Sequence, residues 1–127
     1  MNRFSHEGII SLRGLRRIIL KLKGGFIERG LQVALIRQHA SKCPYPYILM
    51  GDFNDTPSSY AFNQMEIGMN NTFREKGTGV GKTFNGGFAS FQIDYILSSK
   101  QFHVLDYHII HKLISDHYPV LSEVALN

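Results

Sequence analysis

The segment Gly51-Asp-Phe-Asn-Asp55 carries polar groups of the kind that hold ligands or carry out chemistry. The apolar residues 47–50 run directly into it, which is the pattern of a short buried strand. Gly51 lets the chain turn at the end of that strand, so we expect Asp52 and Asn54 at the mouth of a sheet, where α/β proteins commonly bind ligands. An Asx-type turn without a functional role is the alternative for the same residues, since Asp and Asn are frequent in turns.

Two later segments carry chemistry of a matching kind. The run 91–97 alternates as a strand does, with Asp94 on the face opposite its apolar residues, and Ser115-Asp-His117 precedes another alternating run. A carboxylate in such a strand is costly to bury without a partner. Histidine is a suitable partner, because a carboxylate bonded to one ring nitrogen fixes the tautomer and raises the basicity of the other. The pattern therefore predicts one polar site in which Asp94 pairs with His117.

In this order and spacing, Gly51-Asp-Phe-Asn54, Ile93-Asp-Tyr95 and Ser115-Asp-His117 resemble three C-terminal motifs of a known superfamily. It is the endonuclease/exonuclease/phosphatase superfamily, whose members include DNase I-like nucleases, abasic-site endonucleases, sphingomyelinases and inositol-polyphosphate phosphatases. The resemblance covers roughly residues 26–126. It implies an α/β (α+β) fold, the C-terminal half of a four-layer α/β/β/α sandwich with a mostly antiparallel β core and flanking helices. It also implies divalent-metal-dependent hydrolysis of a phosphodiester or phosphomonoester.

The residue types suit the needs of phosphate-ester hydrolysis, and the resemblance implies the same roles. Asp52, Asn54, Asp94 and His117 are the predicted catalytic residues, with Asp52 orienting water or accepting its proton. Asp116 and Asp52 are the predicted metal ligands, because Mg²⁺ (or Mn²⁺) prefers carboxylate oxygens. His117, held protonated by Asp94, and the neutral Asn54 are predicted to bind the substrate phosphate. Nucleic acid, phospholipid and sugar phosphate all remain open as the substrate.

The length departs from this superfamily, whose domains are about twice as long and carry an Asn and a metal-binding Glu in their first half. We therefore expect residues 1–127 to form a partial domain, the C-terminal half, in which the catalytic site is incomplete. The expected partners are the missing N-terminal half or a second copy that associates through an exposed sheet face. A non-catalytic remnant or interaction module is the alternative function.

Charge is spread unevenly along the chain. Residues 1–42 hold nine basic and two acidic residues, whereas residues 43–127 hold five basic and eight acidic ones, for a net charge of +4. This predicts a basic helical arm over residues 1–25, which leaves nucleic-acid binding as a further alternative. A solvated basic surface explains the same charges without a partner.

Composition narrows the class of protein further. An apolar content of 43% is ordinary for one globular domain, and the single cysteine, Cys43, excludes an internal disulfide. The sequence has neither a transmembrane run nor a signal-peptide pattern, which leaves the compartment of the parent protein open. His103, His108 and His111 do not form a zinc-ligand spacing, and Asp55 and Asp106 are interpreted as turn and surface residues.

The spacing of apolar residues and the positions of glycine, asparagine and proline predict the helices and strands around these residues. Residues 8–23 predict a helix that ends at Gly24-Gly25, and a second helix follows from Ile27. Thr56 and Pro57 predict the start of a short helix that runs to about Met65. Residues 68–90 predict loops with a short strand near 82–84, and strands are expected at about 90–97, 102–110 and 118–126, the first two joined as a hairpin by residues 98–100.

Overall fold

The computed structural model describes residues 12–86 and 91–127. In chain order its elements are α1 (Leu12–Ser41), β1 (Ile48–Asp52), α2 (Tyr60–Glu66), β2 (Asn70–Asn71), α3 (Thr72–Lys76), β3 (Asp94–Ser98), β4 (Phe102–Ile109) and β5 (Val120–Leu126). No helix in this part of the chain is long and apolar enough to cross a membrane.

The strands form two antiparallel sheets. One has the order β1-β3-β2 and the other pairs β4 with β5. The sheets and helices confirm the expected mixed fold with an antiparallel β core. The expected hairpin at residues 98–100 is wrong: β3 is paired on both edges, by β1 and β2, so the connection leads into the other sheet.

The core lies between β3 and the helices and is built from aromatic and long apolar side chains. The alternation predicted for residues 91–97 is confirmed at Ile93, Tyr95 and Leu97, which are buried. Phe91 is 41% exposed because it lies before β3 and pairs only through an isolated bridge with Phe84. The rings of Tyr95 and Phe62 stack with centroids 3.9 Å apart, which fixes α2 against the sheet.

Helix α1 differs from the expected pair of helices, because it continues through Gly24-Gly25 for 30 residues. Neither glycine adopts a positive φ, so neither forms the left-handed cap that ends a helix. The glycine pair lowers helix propensity without stopping the helix. Residues 8–11 of the first predicted helix, and residues 1–11 of the predicted basic arm, lie outside the described residues. The arm as a unit stays a prediction.

Short elements in the middle of the chain also differ from expectation. Ser59, not Thr56, caps α2, since its Oγ accepts the N–H of Phe62 at 3.1 Å. The region predicted as loops contains β2 and α3, and the side chain of Asn71 caps α3 by accepting the N–H groups of Phe73 and Arg74. Asn is a common N-cap residue, as Ser and Asp are. The helix start was not predicted because the neighbouring glycine and asparagine residues are typical of loops.

Candidate active site

The pairing of β1 with β3 brings two carboxylates together. In the antiparallel register Asp52 lies opposite Asp94, at the last residue of one strand and the first of the next. Gly51 directly before Asp52 has φ +153°, a value that L side chains rarely adopt. The glycine therefore permits the backbone path that brings Asp52 to this end of the sheet.

A tight turn follows Asp52, as the alternative interpretation of the sequence predicts. Asp52 Oδ1 accepts the N–H of Asn54 at 2.9 Å, and Asn54 has the left-handed φ of +54°. Phe53 continues the ladder by donating its N–H to the carbonyl of Ile93 at 2.8 Å. The Asx turn is therefore compatible with a functional site. It uses Oδ1 of Asp52 as a hydrogen-bond acceptor, which fixes the direction of the side chain, while Oδ2 faces His117.

His117 completes the cluster. Its Nδ1 lies 2.8 Å from Asp94 Oδ2, and its Nε2 lies 3.7 Å from Asp52 Oδ2. The hydrogen bond to Asp94 is the main cause that raises the pKa of His117, while burial lowers it and the charges of Asp94, Asp52 and Asp116 raise it. The geometry thus favours an imidazolium that faces the second carboxylate.

Among residues 12–86 and 91–127, one group of side chains could hold a metal ion. The group consists of Asp52, Asp94 and His117, whose possible ligand atoms all lie within 4.8 Å of one another. Asp116 is exposed and does not belong to this group, although its main-chain carbonyl accepts the N–H of Asn85 at 2.7 Å. The role of Asp116 as a metal ligand stays a prediction. Asn54 is exposed beside Asp52, and its role in substrate binding also stays a prediction.

The donor set fits a hard divalent cation in part. Carboxylate oxygens of Asp52 and Asp94 are of the type that Mg²⁺ and Mn²⁺ prefer, and Mg²⁺ is commonly held by one or two carboxylates together with water and substrate phosphates. Both nitrogens of a protonated imidazole carry a proton, so neither has a lone pair with which to bind a metal ion. The raised pKa of His117 therefore favours this side chain as a hydrogen-bond donor to phosphate, with the carboxylates as the ligands.

Asp55 lies in the connection after β1 but is buried, so its interpretation as a surface residue is wrong. It is only 5% exposed, and its Oδ2 accepts the Nε–H of Arg29 from α1 at 3.0 Å. The hydroxyl of Tyr95 lies 2.8 Å from the Asp55 carbonyl. The turn after Asp52 is thus attached to both the long helix and the core. No local signal predicted this contact, because Arg29 lies 26 residues away. Asp106 is half-exposed and pairs with His108 at 2.8 Å, as a surface residue does.

A cavity of about 240 Å³ opens beside this turn, between α1 and the core. The polar or charged residues Asp52, Asn54 and Arg29 line it together with the apolar residues Phe53 and Phe62. Of the cluster, Asp52 thus borders a space lined in part by apolar side chains, as ligand sites usually are.

The chain is similar in sequence to a known protein family and in fold to several solved structures. A profile of the Endonuclease/Exonuclease/phosphatase family matches residues 15–117. Among solved structures, a mannosyl-6-phosphatase from Bacteroides thetaiotaomicron VPI-5482 has a TM-score of 0.68 at 22% identity, with 77% of this chain and 46% of that chain covered. A functionally unknown conserved protein from Enterococcus faecalis V583 has a TM-score of 0.71 at 22% identity, with 80% and 46% covered.

A third structure, an endonuclease/exonuclease/phosphatase from Bacteroides vulgatus, has a TM-score of 0.69 at 25% identity and covers 78% of this chain and 44% of that one. The chain thus spans less than half the length of these three solved relatives. No curated protein matches the sequence significantly.

Proposed function

Because the chain belongs to the endonuclease/exonuclease/phosphatase family, we propose that it contributes the site of a divalent-metal-dependent phosphoester hydrolase. The observation that supports this most directly is the contact of His117 with Asp94 at 2.8 Å, beside a second carboxylate from Asp52. A purely structural Asp–His pair has no need of the second acid, whereas hydrolysis needs a proton donor and a group that orients water.

In the proposed reaction, Asp94 holds the His117 ring and favours its protonated form. The imidazolium then donates a hydrogen bond to a phosphoryl oxygen and stabilises the charge that develops there. Asp52 orients the attacking water or accepts its proton as the water oxygen bonds to phosphorus. The P–O bond to the leaving alcohol breaks at the same centre, and the leaving oxygen takes a proton from solvent water. Asn54 donates its amide N–H to a second phosphoryl oxygen, where another carboxylate would repel the substrate.

Asp52 and Asp94, with Asp116 as the further predicted ligand, are the residues proposed to hold Mg²⁺ or Mn²⁺. The chemistry that a bound divalent ion supplies is charge neutralisation at the phosphoryl oxygens. Asp52 and Asp94 lie opposite each other on β1 and β3, and Asp116 directly precedes His117 in the chain. This position supports their joint use.

Sugar phosphates are the substrate class to test first, because one structural relative is named a mannosyl-6-phosphatase. Nucleic acid and phospholipid are the other classes. The assay measures phosphate release from mannose 6-phosphate, p-nitrophenyl phosphate, bis-p-nitrophenyl phosphate and an oligonucleotide, with Mg²⁺, Mn²⁺ or EDTA. It uses the 127-residue chain and, if the gene encodes a longer polypeptide, that polypeptide as well.

The expected result is metal-dependent hydrolysis that His117→Ala reduces on the order of 10²-fold or more. His103→Ala is the matched control, since His103 is exposed on β4, and it should keep the wild-type rate. Hydrolysis that survives His117→Ala, or its absence in every form of the protein, would rule out the proposed function.

A second candidate, the interaction module, is favoured by apolar side chains that the strands expose. Met50 on β1, Leu105 on β4, and Leu121 and Leu126 on β5 are each more than half exposed. The proposed partner is further polypeptide of the same family domain, which would cover these residues. Sedimentation tests this: a chain that stays monomeric with and without such a polypeptide excludes the association, and a homodimer assigns the surface to a second copy.

A further inference from the structure

Thr83 lies completely buried beside the first residues of β3. Its Oγ1 accepts two main-chain hydrogen bonds, from the N–H of Ile93 at 3.0 Å and from the N–H of Asp94 at 3.1 Å. β1 pairs with this strand so that Asp52 lies opposite Asp94. β2 pairs with β3 only at Leu97 and Ser98, so it does not reach Asp94. The Thr83 hydroxyl therefore supplies a hydrogen-bond acceptor to the start of β3 where β2 does not.

The same short segment also holds the main chain around His117. The carbonyl of Thr83 accepts the N–H of Tyr118 at 2.7 Å, and Asn85 donates its N–H to the carbonyl of Asp116 at 2.7 Å. Phe84 between them forms a bridge with His117, and its ring meets the imidazole edge-on with centroids 5.3 Å apart. Residues 83–85 thus contact both members of the pair, Asp94 shortly after them in the chain and His117 much further along it.

We propose that Thr83 is a positioning residue, whose hydroxyl holds Asp94 at hydrogen-bonding distance from His117. The argument depends on geometry: the pair comes from two segments, and Thr83 is bonded to the main chain beside each of them. The hydroxyl oxygen satisfies the buried N–H of Ile93 and the partly buried N–H of Asp94. The catalytic consequence rests on the proposed function, whereas the hydrogen bond between His117 and Asp94 can be measured without it.

Two substitutions separate the hydroxyl from the shape of the side chain. Thr83→Val keeps the branched shape and removes the acceptor, while Thr83→Ser keeps the acceptor and removes a methyl group. Thr72→Val is the matched control, because Thr72 is also fully buried and donates its hydroxyl to the carbonyl of Ile96 on the same strand at 2.8 Å. This control removes a buried hydroxyl that donates to β3, at a position away from Asp94.

The main readout is the downfield NMR signal of the His117 Nδ1 proton in the 127-residue chain. We expect it at the wild-type position in Thr83→Ser and Thr72→Val, and shifted upfield or lost through exchange in Thr83→Val. If hydrolysis is measurable, Thr83→Val should lower kcat by roughly tenfold to a hundredfold with little change in KM, and Thr83→Ser should restore it.

An unchanged signal in Thr83→Val, or an equal loss in Thr72→Val, would overturn the proposal. If Thr83→Val does not fold, amide exchange decides. The N–H groups of Ile93 and Asp94 should be protected in both the wild type and Thr83→Ser, and rapid exchange of either in the wild type would refute the contact. Failure of hydrolysis in the wild type removes the proposed function and leaves these measurements valid.

Discussion

His117 and Asp94 are joined by a 2.8 Å contact between Nδ1 and Oδ2, although 23 residues separate them in the sequence. The contact leaves Nε2 directed toward Asp52 Oδ2 at 3.7 Å. One imidazole thus stands between two carboxylates, of which the nearer one fixes the ring and the farther one adds negative charge. Because the pair is only partly buried, its protonation can be followed directly in solution.

Removing the charge of Asp94 should lower the pKa of His117 toward its ordinary value of 6.5, because the hydrogen bond from this carboxylate is the main cause of the rise. Asp94→Asn keeps the size of the side chain, and NMR titration of the imidazole carbon-bound protons reports the pKa. Asp106→Asn is the control, since Asp106 forms a similar contact with the exposed His108. A His117 pKa that is the same in wild type and Asp94→Asn would contradict the assignment.

The raised pKa of His117 also predicts how stability depends on pH. A group that binds a proton more tightly in the folded state stabilises it fully below the unfolded pKa of about 6.5, and this contribution disappears as the pH rises through the higher folded pKa. The free energy of unfolding should therefore fall more steeply above pH 6.5 in the wild type than in His117→Gln. Urea unfolding at several pH values, followed by circular dichroism, measures the difference.

Titration of Asp106 does not contribute to the pH dependence of stability above pH 6.5, where wild type and His117→Gln are compared. The hydrogen bond from His108 lowers the pKa of Asp106 below its ordinary value of 3.8, so this carboxyl titrates at a more acidic pH. Parallel curves for wild type and His117→Gln above pH 6.5 would show that folding leaves the proton affinity of His117 unchanged.

The ion pair of Asp55 with Arg29 should contribute measurably to stability. Asp55 is buried and Arg29 is partly exposed, so Asp55→Asn should cost about 2 kcal/mol of unfolding free energy, between the values of exposed and buried pairs. Arg74→Ala is the comparison, because Arg74 pairs with Glu66 but is 55% exposed, and it should cost less than about 1 kcal/mol. Urea denaturation measures both losses of unfolding free energy. Equal losses in Asp55→Asn and Arg74→Ala would mean that burial of Asp55 does not strengthen its ion pair.

Asn54 allows its backbone and side-chain roles to be separated. Its left-handed φ of +54° suits glycine and strains alanine, so Asn54→Ala should be less stable than Asn54→Gly by about 1 kcal/mol. Both variants lack the amide that we propose binds phosphate, and both should lose hydrolytic activity to a similar degree. Thermal unfolding and phosphate release test the two roles independently. Full activity in Asn54→Gly would leave the residue a purely conformational role.

The sequence predicted the contact between Asp94 and His117 better than it predicted the residues packed around them. Asp94 and His117 could be paired in advance because a buried-strand carboxylate needs a partner and the motifs supply a histidine. Asp55 and Thr83 could not be assigned, because their partners depend on how distant segments pack. The continuity of α1 through two glycines was missed for a related reason. Local propensity predicts a weak point there, and only the φ values show that the helix does not end.

The opposition of Asp52 and Asp94 across two strands has a consequence for how this protein tolerates change in length. Side chains alternate along a strand, so deletion or insertion of one residue between Phe91 and Asp94 would turn the Asp94 side chain toward the apolar core without replacing any residue of the polar cluster. Insertions within residues 77–82, in contrast, fall between α3 and the Thr83 contact and leave that alternation intact. In related proteins, variation in loop length is therefore expected to accumulate before Thr83 and to be rare between Phe91 and Asp94.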